Sequence, residues 1–383
     1  MSRLSDLALL FAKLGTTAFG GPAAHIALLE DEVVRRRRWL TRDEFLDYLG
    51  ATNLIPGPNS TELAMHIGHR RAGRPGLIVA GLCFIMPAAL IVTAIAWAYV
   101  QYGTLPGVGR VLDGVKPVVM AVVAQALWGL GRTALKRAGL VVIGLASLAA
   151  IVGGVHELAV LAAAGAASGA FGRGTGRGRA GTVVGVAAAG GAGASAALSA
   201  ATVTVTGASS FALWPLFVTF LKIGSVLFGS GYVLLAFLRA DFVERLGWLT
   251  EQQLLDATAV GLVTPGPVFT TATFIGYLLG GGVGAAIATT GIFLPAFVFV
   301  GLSGPIVPRL RRSAVAGAVL DGVNVASLAL MAAVAWQLGR SALVDAPSVI
   351  LALASLLLLI RWRVNPTWLI LAGSVMGLLR AEG

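Results

Sequence analysis

Long apolar runs, broken by short clusters of arginine and lysine, set the pattern of this chain. Gly76 to Val100 holds 25 residues without Asp, Glu, Lys or Arg, and apart from the aromatic Trp97 and Tyr99 only Cys83 and Thr93 are mildly polar there. Val283 to Val307 reads the same way, and so does the shorter Gly139 to Val155. A helix needs roughly 20 apolar residues to cross the hydrocarbon core of a bilayer. Inside that core the backbone must satisfy its own hydrogen bonds. The pattern therefore predicts an all-α polytopic membrane protein. Residues Met1 to Asp6 carry no basic segment or cleavage site, so the first apolar run, Leu7 to Leu29, is expected to be kept as a span.

The runs occur twice. Shifting the sequence by 209 residues lays Phe11, Lys13, Gly15, Phe19 and Gly20 on Phe220, Lys222, Gly224, Phe228 and Gly229. The same shift lays Trp39-Leu40-Thr41 on Trp248-Leu249-Thr250, Asp47 on Asp256, and Pro56-Gly57-Pro58 on Pro265-Gly266-Pro267. After a one-residue gap Gly68, Pro87, Asp113-Gly114-Val115 and Trp128 meet Gly276, Pro295, Asp321-Gly322-Val323 and Trp336. Two homologous repeats are expected, at 1–171 and 211–383. Between them 172–210 reads as a flexible Gly/Ala/Arg-rich linker, and whether 180–206 adds a span stays open.

Loop charge gives the orientation. Arg35 to Arg42, Arg70 to Arg74 and Arg132 to Arg137 are dense in cations, whereas Gln101 to Leu112 holds one. In the second copy Arg239 to Thr250 holds two, Gly280 to Gly284 none, and Pro308 to Ser313 three. Loops rich in one copy are poor in the other, as repeats of opposite topology require. Both loops flanking 43–68 are Arg-rich, so that segment is expected to enter and leave on one side. Proline removes a helical donor and glycine loosens the chain, so each copy is predicted to hold a re-entrant, broken helix turning at Pro-Gly-Pro.

Composition sharpens this reading. The net charge of +11 lies in loops between spans, which is the positive-inside signal and not a nucleic-acid footprint, and no nucleic-acid partner is expected. The single cysteine, Cys83, excludes an internal disulfide and a multi-cysteine metal site. No phosphate-binding loop and no Cys/His cluster appears, so an ATP-driven pump or a metal-dependent enzyme has no visible engine and no cofactor is expected. Secondary transport or a channel remains. A membrane-embedded enzyme or a lipid-handling protein is the rival of another class, and it would want convergent titratable groups at one interface.

The candidate site follows from the two turns. Pro56, Gly57, Pro58, Asn59, Ser60 and Thr61, and likewise Pro265, Gly266, Pro267, Thr270 and Thr271, open half-helices. Their N-terminal amides and partial positive charge suit an oxyanion. The competing reading is a structural kink with hydroxyls bonded back to the backbone. Lys13 and Lys222 lie in apolar segments and would flank an anion site, or else snorkel to the interface. Gly20, Gly21 and Gly229 allow close backbone approach, or simply break the helix. Glu62 and His66 share a helical face and are candidates for exchanging a proton, with a surface pair as the alternative. Asp47 and Asp256 read as capping or interfacial residues. Trp39, Trp128, Trp248 and Trp336 read as interfacial anchors.

At Phe19-Gly20-Gly21-Pro22, Trp39-Leu40-Thr41 and Pro56-Gly57-Pro58-Asn59, with their second-half echoes, the sequence resembles the chromate ion transporter family of the two-domain, long-chain type. The resemblance implies a multi-pass protein of the bacterial cytoplasmic membrane that exports chromate and so confers resistance, without being an enzyme. Its partners would be the lipid bilayer and chromate or a related oxyanion such as sulfate or molybdate. A homodimer is left open. Ser230-Gly231 stands where the first copy has Gly21-Pro22, which implies specialised halves.

Overall fold

The computed structural model describes residues 3–19, 21–103, 106–174, 212–228, 231–362 and 364–379. Gly20, Gly229 and almost all of the linker lie outside the described residues. Among the described residues there is no strand, and there are fourteen α-helices, seven to each half, besides four short π or 3-10 segments. The first half comprises α1 (Arg3–Thr17), α2 (Gly21–Glu30), α3 (Arg42–Thr52), α4 (Asn59–Tyr102), α5 (Pro106–Ala134), α6 (Ala138–Val152) and α7 (Glu157–Gly174). The second comprises α8 (Leu213–Val226), α9 (Leu234–Leu238), α10 (Glu251–Val263), α11 (Thr271–Arg312), α12 (Ala314–Ala342), α13 (Ala346–Leu357) and α14 (Pro366–Leu379).

Local chemistry explains why the Trp-Leu-Thr motif recurs. Thr41 caps α3 and Thr250 caps α10, each accepting from the third helical amide, with Glu44 and Gln253 closing the capping box. Leu40 and Leu249 are buried beneath the caps. The Arg37 and Arg71 guanidinium groups lie 5.1 and 4.1 Å from the ring centre of Trp39.

The broken element is present in both halves. From α3 the chain turns through Pro56-Gly57-Pro58 and comes back along the first leg of α4. Asn59 bonds Asn53 at 2.9 Å, His66 stacks on Tyr48, and Arg70 reaches Glu44 at 3.5 Å, so the two segments run antiparallel as a hairpin. At Ala72 (φ −144°, ψ 25°) and Gly73 (φ 62°, ψ −151°) α4 reverses into its long second leg. The equivalent positions in α11 are Gly280 (φ −142°, ψ 22°) and Gly281 (φ 59°, ψ −151°). Near-identical dihedrals at matched positions mark one backbone design used twice.

The halves are related by a two-fold that runs across the long legs. Gly81 lies against the Phe297 ring, and Phe297 is the repeat partner of Ala89. An axis parallel to the helices would leave positions eight residues apart about 12 Å different in height. The contact requires the second legs to pass in opposite directions, which is the inverted arrangement that loop charge indicated.

The halves also interlock. Helices α6 and α7 pack on α12 of the other half, and α13 and α14 pack on α5. Gly114 of α5 meets the backbone of Gly373 and Gly377, and Gly322 of α12 meets Ala164 and Ser168. Four helices are long and apolar enough to cross a membrane among the described residues: Asn59–Tyr102, Gly109–Ala134, Val268–Ser303 and Val315–Ala342. Large apolar side chains such as Leu145, Trp214, Trp336, Ile350 and Trp368 are more than 60% exposed. In water that surface would be a liability, and in lipid it is the ordinary outer face.

Candidate functional site

Each Pro-Gly-Pro turn docks on the break between the first two helices of the opposite half. The Gly57 amide donates to the Leu227 carbonyl at 2.8 Å, and the Gly266 amide donates to the Ala18 carbonyl at 3.0 Å. Ala18 and Leu227 are repeat partners, so the two bonds are reciprocal. Gly266 also lies against Ala88, midway along the second leg of α4, and Gly57 lies near Ala296, the corresponding point of α11. The backbone at both glycines has positive φ, 139° and 92°, a conformation closed to other residues without strain.

Between the turns lies a narrow cleft, about 260 Å³ including its open mouth, lined by Pro58, Asn59, Ser60, Gly231, Pro267, Val268 and Phe269. The first amides of a helix have no partner within it. Those of Asn59 and Ser60 and those of Val268 and Phe269 belong to residues on opposite walls. A narrow apolar pocket shares Gly231 and Val268 with the cleft and continues past Tyr232, Thr258 and Thr271.

The polar side chains are unevenly divided. Thr270 and Thr271 donate to the carbonyls of Pro267 and Val268, both at 2.8 Å, so these two hydroxyls are tied to their own backbone. In the first half Thr61 Oγ1, Asn59 Oδ1 and both carboxyl oxygens of Glu62 are buried without a hydrogen-bond partner among the described residues. Glu62 is fully buried, and its Oε1 sits so close to Gly57 that a methyl group on that glycine would strike it. No hydrogen bond joins Glu62 to His66, which instead stacks on Tyr48. Gly21 is the first residue of α2, while Gly20 and Gly229 lie outside the described residues.

Lys13 and Lys222 are each held by an acid of their own half, and Lys222 also lies 3.9 Å from Glu157 of the other half. Lys13 Nζ lies 3.1 Å from Glu32, and Lys222 Nζ lies 2.6 Å from Asp241, which is the repeat partner of Glu32. Arg36 and Arg245, also repeat partners, complete each cluster at 3.6 and 2.9 Å. Burial pushes the Glu32 carboxyl up, but the Lys13 hydrogen bond and charge, with Arg37 and Arg36, outweigh it and hold the group below its ordinary value.

Two features escaped the sequence reading. His25 is 2% exposed; its Nε2 lies 3.0 Å from the Ala18 carbonyl and its Nδ1 lies 3.3 Å from Ser60 Oγ. A carbonyl only accepts, so Nε2 carries the hydrogen, and in the neutral ring Nδ1 takes the Ser60 proton. His25 thus ties α2 to the start of α4 and to the carbonyl that receives the second-half turn. Its repeat partner is Leu234, so comparing the copies gave no signal. The second is the role of Asp256, expected from the sequence to cap a helix or sit at the interface: it is instead 1% exposed and accepts from Tyr99 of the other half at 2.8 Å. Asp47, its partner in the repeat, is exposed. Among the described residues no group of three or more His, Cys, Asp or Glu could hold a metal ion.

A family model described as "Chromate transporter" matches residues 5–170 and again 214–378. A chromate transport protein of Cupriavidus metallidurans is 31% identical over 378 residues, covering 97% of this chain and 92% of that protein. One from Pseudomonas aeruginosa is 33% identical over 381 residues, 96% and 90% of the two chains. A probable chromate transport protein of Synechococcus elongatus is 30% identical over 356 residues, 92% and 89%. No solved structure matches the chain.

Proposed function

The chain belongs to the chromate transporter family, and from that premise we propose that it is a secondary transporter exporting chromate across the bacterial cytoplasmic membrane, with resistance as the result. The observation that carries the reading is the pair of reciprocal turns, each docked on the break of the opposite half beside one cleft. Helix N-termini on both walls supply amide donors to a tetrahedral dianion without committing a fixed cation. Candidate contacts are Pro56, Gly57, Pro58, Asn59, Ser60 and Thr61 from one half, with Pro265, Gly266, Pro267, Thr270 and Thr271 from the other. Gly21, the first residue of α2, and, from the sequence alone, Gly20 and Gly229 complete the candidate set. Lys13 and Lys222 act at a distance, through the clusters that anchor α1 and α8.

Transport proceeds by alternating access, the two inverted halves exchanging roles around the turns. An inside-negative potential favours export of a dianion by about 2.3 kcal/mol per charge per 100 mV. The test is uptake of labelled chromate by inside-out proteoliposomes, with sulfate and molybdate as competitors. Saturable chromate flux is expected. Folded protein without flux would sink the proposal, and tighter competition by molybdate or sulfate than by chromate itself would reassign the oxyanion.

A further inference from the structure

Glu62 is the group that oxyanion binding alone leaves unused. It lies in the first turns of α4, at the end that faces the cleft, with no exposure and no partner for either carboxyl oxygen among the described residues. Its Oε1 packs into the Pro56-Gly57-Pro58 turn itself. At the repeat position the second half has Thr271, a hydroxyl satisfied by the Val268 carbonyl. One half has therefore placed an acid where the other has a neutral, self-contained group.

No ion pair among the described residues reaches Glu62. On α1, Asp6 is near Arg71 and Lys13 is held by Glu32. On α2, His25 is engaged by Ala18 and Ser60. On α3, Asp43 and Asp47 are exposed, Glu44 is bound by Thr41 and Arg70, and Tyr48 stacks on His66 of α4 itself. On α8, Lys222 is held by Asp241, and α11 carries no charged residue from Thr271 to Ser303. A carboxyl out of water with no donor on either oxygen is held most cheaply as the neutral acid.

We infer that Glu62 is a proton-binding site coupled positively to the oxyanion, so that proton and anion ride together and not in exchange. The inference rests on the turns being the oxyanion site. An ionised Glu62 would put a full negative charge into the same helix N-terminus that draws the substrate, and the two anions would compete for it. The neutral acid removes that competition. Carrying one proton with each chromate halves the charge moved per cycle, so the membrane potential drives the cycle half as strongly.

The test adds chromate to the purified protein in weakly buffered solution, at an alkaline pH where its affinity for chromate has begun to fall and Glu62 is therefore ionised before binding, and follows proton uptake with an indicator dye, alongside a direct binding measurement. Uptake approaching one proton per chromate bound is expected. Apparent affinity should fall by about tenfold per pH unit above the titration of the free protein. Glu62→Gln should bind chromate with neither the uptake nor the pH dependence. Proton release, or chromate binding without uptake in the native protein, would overturn the coupling whatever the variant does. Failure of the native protein to bind chromate at all would instead sink the oxyanion reading of the turns.

Discussion

The Pro56-Gly57-Pro58 turn and the Pro265-Gly266-Pro267 turn share a backbone and differ in what their side chains have left to bond. Both place a glycine at positive φ, both donate to the broken first helix of the opposite half, and both lead into a half-helix that reverses at a matched kink. Yet Thr270 and Thr271 are satisfied by their own turn, whereas Thr61 and Glu62 are buried and open. The duplication conserved what the architecture needs, and the polar chemistry settled in one copy. On the function proposed, the symmetric turns supply the frame and the asymmetric side chains the lining.

The sharpest way to break that comparison is at the two glycines. In Gly57→Ala the added methyl meets Glu62 Oε1, and in Gly266→Ala it meets the Ala88 methyl at 2.5 Å. Each change also forces a side chain into the left-handed region, at a cost of about 1–3 kcal/mol. Chromate flux is expected to fall on the order of a hundredfold in both variants, since both halves use the same turn. A variant that kept native flux in either half would show that its turn is not part of the shared frame.

A smaller effect separates the two aspartates. Asp256 is buried on Tyr99 of the other half, while Asp47, at the same repeat position, is exposed. Asp256→Ala strands the Tyr99 hydroxyl and should cost about 2–3 kcal/mol in detergent unfolding. Tyr99→Phe should be partly redundant with it in the double variant. Asp47→Ala should stay within about 0.5 kcal/mol of the native protein. Equal losses at Asp47 and Asp256 would erase the proposed difference between the re-entrant hairpins.

How much of this was legible before the structure depends on what each feature leaves in the sequence. The repeat, the broken helices and the inversion were readable because a turn that needs proline and glycine, and a loop that stays on one side, restrict residue type locally. The docking of Gly57 on Leu227 was not, because a bond between chain segments so far apart imposes no period on either. His25 was passed over because its partner in the other copy is Leu234. Glu32 and Asp241 stood in register as different acids, so the lysines were found and the groups that hold them were not. The matching Arg36 and Arg245 were the overlooked signal.

Those lysine clusters give the smallest and most discriminating contrast. Asp241 is 1% exposed, has Lys222 and Arg245 on one oxygen, and its other oxygen is without a partner among the described residues. Glu32 is 10% exposed and has Arg36 and Arg37 besides Lys13, whose own side chain is 56% exposed. Lys222→Met leaves a buried carboxylate with one cation and should cost about 1–2 kcal/mol. Lys13→Met leaves Glu32 with two and should cost less than about 1 kcal/mol. The pH dependence has a fixed sign. Glu32 is held below its ordinary value in the folded protein, so its contribution is present above that value and is lost as the pH falls through the folded one. The difference between the native protein and Lys13→Met in thermal unfolding should therefore shrink on acidification. If instead Lys13→Met weakened chromate binding as much as Lys222→Met while leaving stability unchanged, the lysines would be part of the lining and not of the frame.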